Sequence, residues 1–233
     1  MNEKIVEIKN LSKSYGKEKV LNDINLSFNK GQIIGLCGPN GTGKTTLIKI
    51  LVGLLRDYEG SVMIDGLPLG VESRAKISYL PDIEYLSSNT TGLQAAAIYA
   101  DLYDDFDIHL MEELFTKMQL DADKRVNQMS KGMREKFQLA LCLSRKADIY
   151  ILDEPIAGVD PAARDQIIET IIENYTKDAL LIIATHLIQD IEMVLDEVVF
   201  IKGGEILLHE NCELLREQRG KSIDEIFREE FRW

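Results

Sequence analysis

Gly38-Pro39-Asn40-Gly41-Thr42-Gly43-Lys44-Thr45 has the spacing G-x-x-x-x-G-K-[ST] of a phosphate-binding loop. Its flanks agree with that reading. Ile33-Ile34-Gly35-Leu36-Cys37 reads as a buried strand, and Thr46-Leu47-Ile48-Lys49-Ile50-Leu51 as the first turns of a helix. Glycines carry no Cβ, so backbone N–H groups can close around phosphate oxygens. The helix N-terminus adds unpaired N–H groups and the positive end of its dipole. Lys44 supplies a point charge for the outer phosphates, and the Thr45 hydroxyl suits Mg²⁺. The competing reading, a glycine-rich turn before an ordinary helix, is disfavoured by the strand and helix on either side.

A second anchor is Ile149-Tyr150-Ile151-Leu152-Asp153-Glu154. An apolar strand ending in two carboxylates puts them at the C-terminal edge of a parallel sheet, where α/β folds bind ligands. Asp153 suits a direct or outer-sphere contact to Mg²⁺. Glu154 is then placed to take a proton from water attacking a γ-phosphate. A solvated acidic turn before Pro155 is the alternative. Ala184-Thr185-His186 ends the next apolar strand, so His186 can reach the γ-phosphate side of the same edge.

The 233 residues carry 27 Lys+Arg against 39 Asp+Glu, a net charge of −12. That disfavours a nucleic-acid groove and polybasic attachment to anionic lipid. A polyanionic nucleotide therefore needs a locally built positive field, which residues 38–45 supply. No apolar run approaches the ~18 residues of a membrane span. Met1-Asn2-Glu3-Lys4-Ile5 lacks the apolar stretch of a secretory leader. Cys37, Cys142 and Cys212 are far apart and in no metal-like spacing, so reduced core cysteines of a cytosolic protein are expected.

Residues 3–28 alternate loosely around a turn at Tyr15-Gly16-Lys17 and predict antiparallel strands. Residues 61–66 predict another short strand. From about Thr91 to Arg145 the period becomes helical. A βαβ pattern follows, with strands at 149–152 and 180–183 around a helix from about Pro161 to Tyr175. Lys202-Gly203-Gly204-Glu205 predicts a hairpin. In the tail, Ile223, Ile226, Phe227 and Phe231 share a helical face behind a capping box at Ser222-Ile223-Asp224-Glu225.

With these motifs in this order, the chain resembles the ATP-binding subunit of ABC (ATP-binding cassette) transporters over essentially its whole length. The resemblance implies an α/β P-loop NTPase (RecA-like) core with an N-terminal antiparallel β subdomain. A helical subdomain at about 83–145 would be inserted in a single 1–233 domain, with a helical tail at about 213–233. It implies ATP and Mg²⁺ as ligands. The nucleotide would be held by Gly38, Pro39, Asn40, Gly41, Thr42, Gly43, Lys44, Thr45 and Thr46, with Tyr15 stacked on adenine. Met129-Ser130-Lys131-Gly132-Met133 stands where the family has its signature loop, so Ser130 and Gly132 would meet the nucleotide of an opposing subunit. Ala157-Gly158-Val159-Asp160 matches the loop that crosses the dimer interface, and His186 the switch histidine. Lys44, Glu154 and His186 would act in hydrolysis, and Thr45 and Asp153 on the metal.

Two departures stand out. The family usually has glutamine after the Leu-Pro pair; here Tyr79-Leu80-Pro81 is followed by Asp82. Asp82 is shorter and only accepts when ionised, though it can still face a cation. In the signature, Lys131 replaces a glycine and Met133 a glutamine. Departures and short tail together resemble a bacterial export subfamily. The expected partners are a separate membrane permease and a second ATP-binding subunit, identical or related, but no nucleic acid. The chain would sit at the cytoplasmic face, with a permease loop near residues 82–100. Rival readings are a soluble ABC-type ATPase without a permease, a regulatory subunit with weak turnover, and a P-loop kinase or GTP switch. Asp101, Asp104, Asp105 and Asp107 lack the glycine and distal glutamate of a calcium loop, so a solvated acidic face is expected.

Overall fold

The computed structural model describes residues 3–231. Residues 1–2 of the leader reading and 232–233 of the tail lie outside them. The chain runs β1 (Lys4–Tyr15), β2 (Glu18–Asn29), β3 (Ile33–Cys37), α1 (Lys44–Leu51), β4 (Glu59–Ile64), β5 (Leu67–Pro68), α2 (Val71–Ala75) and β6 (Ile77–Leu80). Helices α3 (Gly92–Leu102), α4 (Ile108–Lys117) and α5 (Lys131–Leu143) follow, then β7 (Ile149–Asp153), α6 (Pro161–Asn174), β8 (Leu180–Thr185) and α7 (Ile188–Ile191). The chain closes with β9 (Glu197–Lys202), β10 (Glu205–Asn211), α8 (Cys212–Arg219) and α9 (Ile223–Glu230).

Two sheets form. An antiparallel one has the order β2-β1-β4-β5; a larger one has the order β10-β9-β3-β8-β7-β6. In the larger sheet β9, β3, β8, β7 and β6 are parallel, and β10 is an antiparallel edge. Every residue of β3, β7 and β8 is buried, as unbroken apolar strands covered on both faces require. The hairpin, both βαβ strands and the 161–174 helix match the sequence reading. Four short elements, β5, α2, β6 and α7, were not anticipated.

Helices α3–α5 enter between β6 and β7 and pack around Phe115 and Phe137, whose rings meet edge-on at 5.3 Å. Arg145 fastens this block to the sheet. Its guanidinium donates to both Asp105 carboxylate oxygens at 2.8 Å, and to the Ile77 and Ala75 carbonyls at 2.6 Å. It also lies 3.8 Å from the centre of the Tyr103 ring. The acidic-face reading is thus corrected in half. Asp101 and Asp104 are exposed, but Asp105 neutralises a buried arginine. Asp107 caps α4, accepting from His109 and Leu110 N–H at 3.1 Å, and pairs with Lys146 at 3.0 Å.

The tail folds onto its own body. The Ser222–Glu225 capping box forms as expected, at 3.2 and 2.9 Å. Phe227 and Phe231 pack on Phe200 of β9 at 5.3 and 5.9 Å. The three cysteines are buried and free. No helix among the described residues is long and apolar enough to cross a membrane.

Candidate functional site

Strand pairing sets the order of groups along one sheet edge. Cys37 pairs with Thr185, Asp153 with Ala184, and Leu80 with Leu152. The segments just beyond these residues therefore lie side by side. They are loop 38–45 after β3, His186 after β8, Asp153-Glu154 at the end of β7 and Asp82 after β6. Neighbouring strands are ~4.8 Å apart, so four sequence-distant motifs share one mouth.

The 38–45 loop is shaped by its glycines. Gly41 and Gly43 have φ of 81° and 108°, a region costly for other residues. A Cβ on Gly43 would stand 2.7 Å from Leu21 Cδ2, so the loop leans on β2. It is also held by a residue read from sequence only as a hairpin turn: Gly204 N–H donates to Thr42 O at 3.1 Å, and Gly204 O accepts from Asn22 N–H at 2.8 Å. Lys44 is 5% exposed. Its ammonium donates to Gly38 O at 2.6 Å and Pro39 O at 3.2 Å. Burial lowers its pKa, while Glu154 and Asp153 oppose that. The loop backbone and this cation suit a polyphosphate. Pro39, Asn40 and Thr46 accompany them, with Asn40 exposed.

Asp153 is 1% exposed, and neither carboxylate oxygen has a hydrogen-bond partner. A bare buried carboxylate is costly. Burial pushes its pKa up to about 6; Asp82 and Glu154 add to the rise, while Thr45 and Lys44 oppose it. The orphaned oxygens and the Thr45 hydroxyl form a hard oxygen set that fits Mg²⁺. Asp82 is exposed and lines the same cleft as Thr45 and Asp153. The metal-free consequence has a definite sign. Asp153 titrates near 6 folded and near 3.8 unfolded, so its ionisation destabilises the fold above pH 6 and ceases to as pH falls below 4. Asp153→Asn should therefore stabilise the metal-free chain by about 3 kcal/mol at pH 7.5 and roughly half that at pH 5. Urea unfolding in EDTA at the two pH values measures both.

Glu154 follows with φ 53°, a left-handed kink that ends the strand and stores ~1 kcal/mol or more. Its carboxylate is fixed twice. Thr185 Oγ donates to Oε2 at 2.9 Å, and His186 Nδ1 lies 2.9 Å from Oε1. Thr185 in turn accepts from Leu187 N–H at 3.0 Å. Sequence reading singled out His186 but passed over Thr185. A threonine ending a strand gives no such signal until its neighbour in the sheet is known.

Tyr15 ends β1 and is 49% exposed, with Lys13 Nζ 5.0 Å from its ring centre. Lys13 pairs with Leu21, the residue under Gly43, which brings Tyr15 to the hairpin end beside the loop. Ser130, Gly132 and Asp160 stand elsewhere. Ser130 caps α5, accepting from Met133 N–H at 3.3 Å, and Asp160 caps α6, accepting from Ala162 N–H at 3.0 Å. Both caps are exposed, and none of the three residues hydrogen-bonds to loop 38–45 among the described residues.

Comparison with known proteins gives the family. The family description "ABC transporter" matches residues 21–157. The lantibiotic transport ATP-binding protein SrtF of Streptococcus pyogenes is 31% identical over 226 residues, covering 96% of each chain. The Nod factor export ATP-binding protein I of Cupriavidus metallidurans is 27% identical over 97% of this chain and 78% of its own length. A solved ATP-binding subunit of an ABC transporter superposes with a TM-score of 0.86 at 28% identity, covering 97% of this chain and 98% of the other. The chain belongs to the ATP-binding proteins of the ABC transporter family.

Proposed function

We propose that this chain binds and hydrolyses Mg·ATP to drive a separate membrane permease, by closing head-to-tail on a second copy of itself. The observation that carries this reading is the single sheet edge holding Lys44, the bare Asp153 carboxylate and the braced Glu154. Phosphate oxygens would take over the Lys44 ammonium from the Gly38 and Pro39 carbonyls. Thr45 and Asp153 would hold Mg²⁺, with Asp82 facing it across the cleft. The metal, when bound, neutralises charge on the outer phosphates. Glu154 accepts the proton of the attacking water once one of its two present contacts opens, and His186 keeps the carboxylate aimed.

Ser130, Gly132 and Asp160 find their role in the pair. Ser130 and Asp160 cap exposed helix N-termini, which the phosphates held by the opposite loop 38–45 would meet. Only the closed pair makes both sets of contacts, so ATP binding drives closure and hydrolysis reverses it.

The permease reading is supported by a groove of about 790 Å³ that runs from the site mouth between the sheet and α3. Val71, Leu102, Ile83 and Leu54 line it and expose 78, 67, 66 and 65% of their surface, large apolar side chains of the kind that partner proteins cover. A helical permease segment would cover it from the cytoplasmic face. The export-type names of the relatives favour outward transport.

Capture of an integral membrane protein with this chain from detergent-solubilised membranes provides the test. Leu102→Glu should remove most co-purification and transport coupling while leaving MgATP affinity within about twofold. Full retention of the complex would eliminate the groove as the docking site.

A further inference from the structure

Glu135 lies in the second turn of α5, five residues beyond Ser130, yet its side chain crosses to the loop that ends in Asp160. A Cβ built on Gly158 would stand 2.5 Å from Glu135 Cδ and 2.5 Å from Oε2. The carboxylate thus fills the space that any other residue at 158 would need. Gly158 does not have a left-handed φ, so its backbone would accept a side chain, and the three atoms nearest that Cβ all belong to Glu135. Glu135 is 26% exposed, with Lys131 Nζ 3.7 Å from Oε1. Its Oε2 is buried without a hydrogen-bond partner.

The charge around it is not arranged to stabilise an anion. Lys131 attracts it, but Asp82 and Glu84 repel it, and burial pushes its carboxyl above the usual glutamate range. Arg134, next to it on α5, is turned to Glu84 at 2.8 Å. A half-buried carboxylate with one oxygen unpaired is a net cost to the isolated fold. It does, however, touch both exposed segments that cap helices, the 130–133 turn and the 156–160 loop.

We propose that Glu135 is a positioning residue that ties these two segments together within one protomer, so that both meet a second protomer as one preformed face. The inference rests on the head-to-tail pairing proposed above. Two independent loops would each lose freedom on closure; a tied pair has lost it beforehand. Glu135 therefore acts on the stability of the nucleotide-bound pair and not on ATP capture by loop 38–45.

The test uses the full chain in a Glu154→Gln background. The dimer constant with MgATP comes from analytical ultracentrifugation, and ATP affinity from titration of dilute monomer. Glu135→Ala should weaken the dimer about tenfold with ATP affinity unchanged. Gly158→Ala should push the flexible carboxylate aside and weaken the dimer by a similar factor, and the double variant should be no weaker than either single. Glu135→Gln, which keeps the shape, should stay near the parent. Additive losses, an unweakened Glu135→Ala dimer, or ATP affinity falling in step with the dimer would each overturn the proposal. A Glu154→Gln parent that stays monomeric with MgATP would instead remove the pairing itself, and the coupling with it.

Discussion

Glu154→Gln should lower the steady-state ATPase rate by about 10²- to 10⁴-fold, the span expected for loss of a general base, while MgATP binding persists. The substitution keeps the length of the side chain, and the Thr185 hydroxyl can still donate to the remaining amide oxygen. What disappears is the proposed proton acceptor. In the proposed cycle hydrolysis reopens the pair, so the variant should accumulate as an ATP-bound dimer. Phosphate release assays and gel filtration with MgATP report the two effects separately. A variant that turns over within a few-fold of the parent would assign the base to another residue. One that stops turning over yet stays monomeric would uphold Glu154 as the base and refute ATP-driven pairing.

Lys44→Ala should weaken MgATP binding about thirty- to hundredfold, the size of one or two lost charged hydrogen bonds in a buried site. The ammonium is nearly sealed from solvent and spends two of its donors on the Gly38 and Pro39 carbonyls. It also faces Asp153 and Glu154, the acidic groups that would otherwise repel a polyphosphate. Truncation removes the cation and leaves both carbonyls lining a site that must accept an anion. Equilibrium titration with a fluorescent ATP analogue measures the loss. Unchanged affinity would take Lys44 out of the phosphate site and leave binding to the loop backbone alone.

Much of this was legible in the chain because the main signals are local. The 38–45 spacing needs its glycines within a few residues of each other. The strands at 33–37, 149–153 and 180–185 are unbroken apolar runs, and the tail helix carries its own capping box. What stayed hidden depends on partners far away in sequence. Four-residue β6 and α7, like five-residue α2, are too short to show a period. Thr185, Gly204 and Glu135 look like ordinary strand-end, turn and helix residues until Glu154, Thr42 and Gly158 are brought beside them. Asp105 read as solvated because the arginine it neutralises lies forty residues later and is itself buried. The motifs therefore mark the groups suited to a nucleotide, while the residues packed against them needed the fold.

Head-to-tail closure around ATP is the central claim, and cross-linking two marked copies tests it most directly. One copy carries Asn40→Cys in the phosphate loop and the other Gln128→Cys beside the Ser130 cap. Both positions are exposed, and the native cysteines are buried. In a Glu154→Gln background, a short bismaleimide should join the 40 position of one copy to the 128 position of the other with MgATP, and not without it. No 40–128 product with MgATP, or a product formed equally well in the absence of nucleotide, would contradict it.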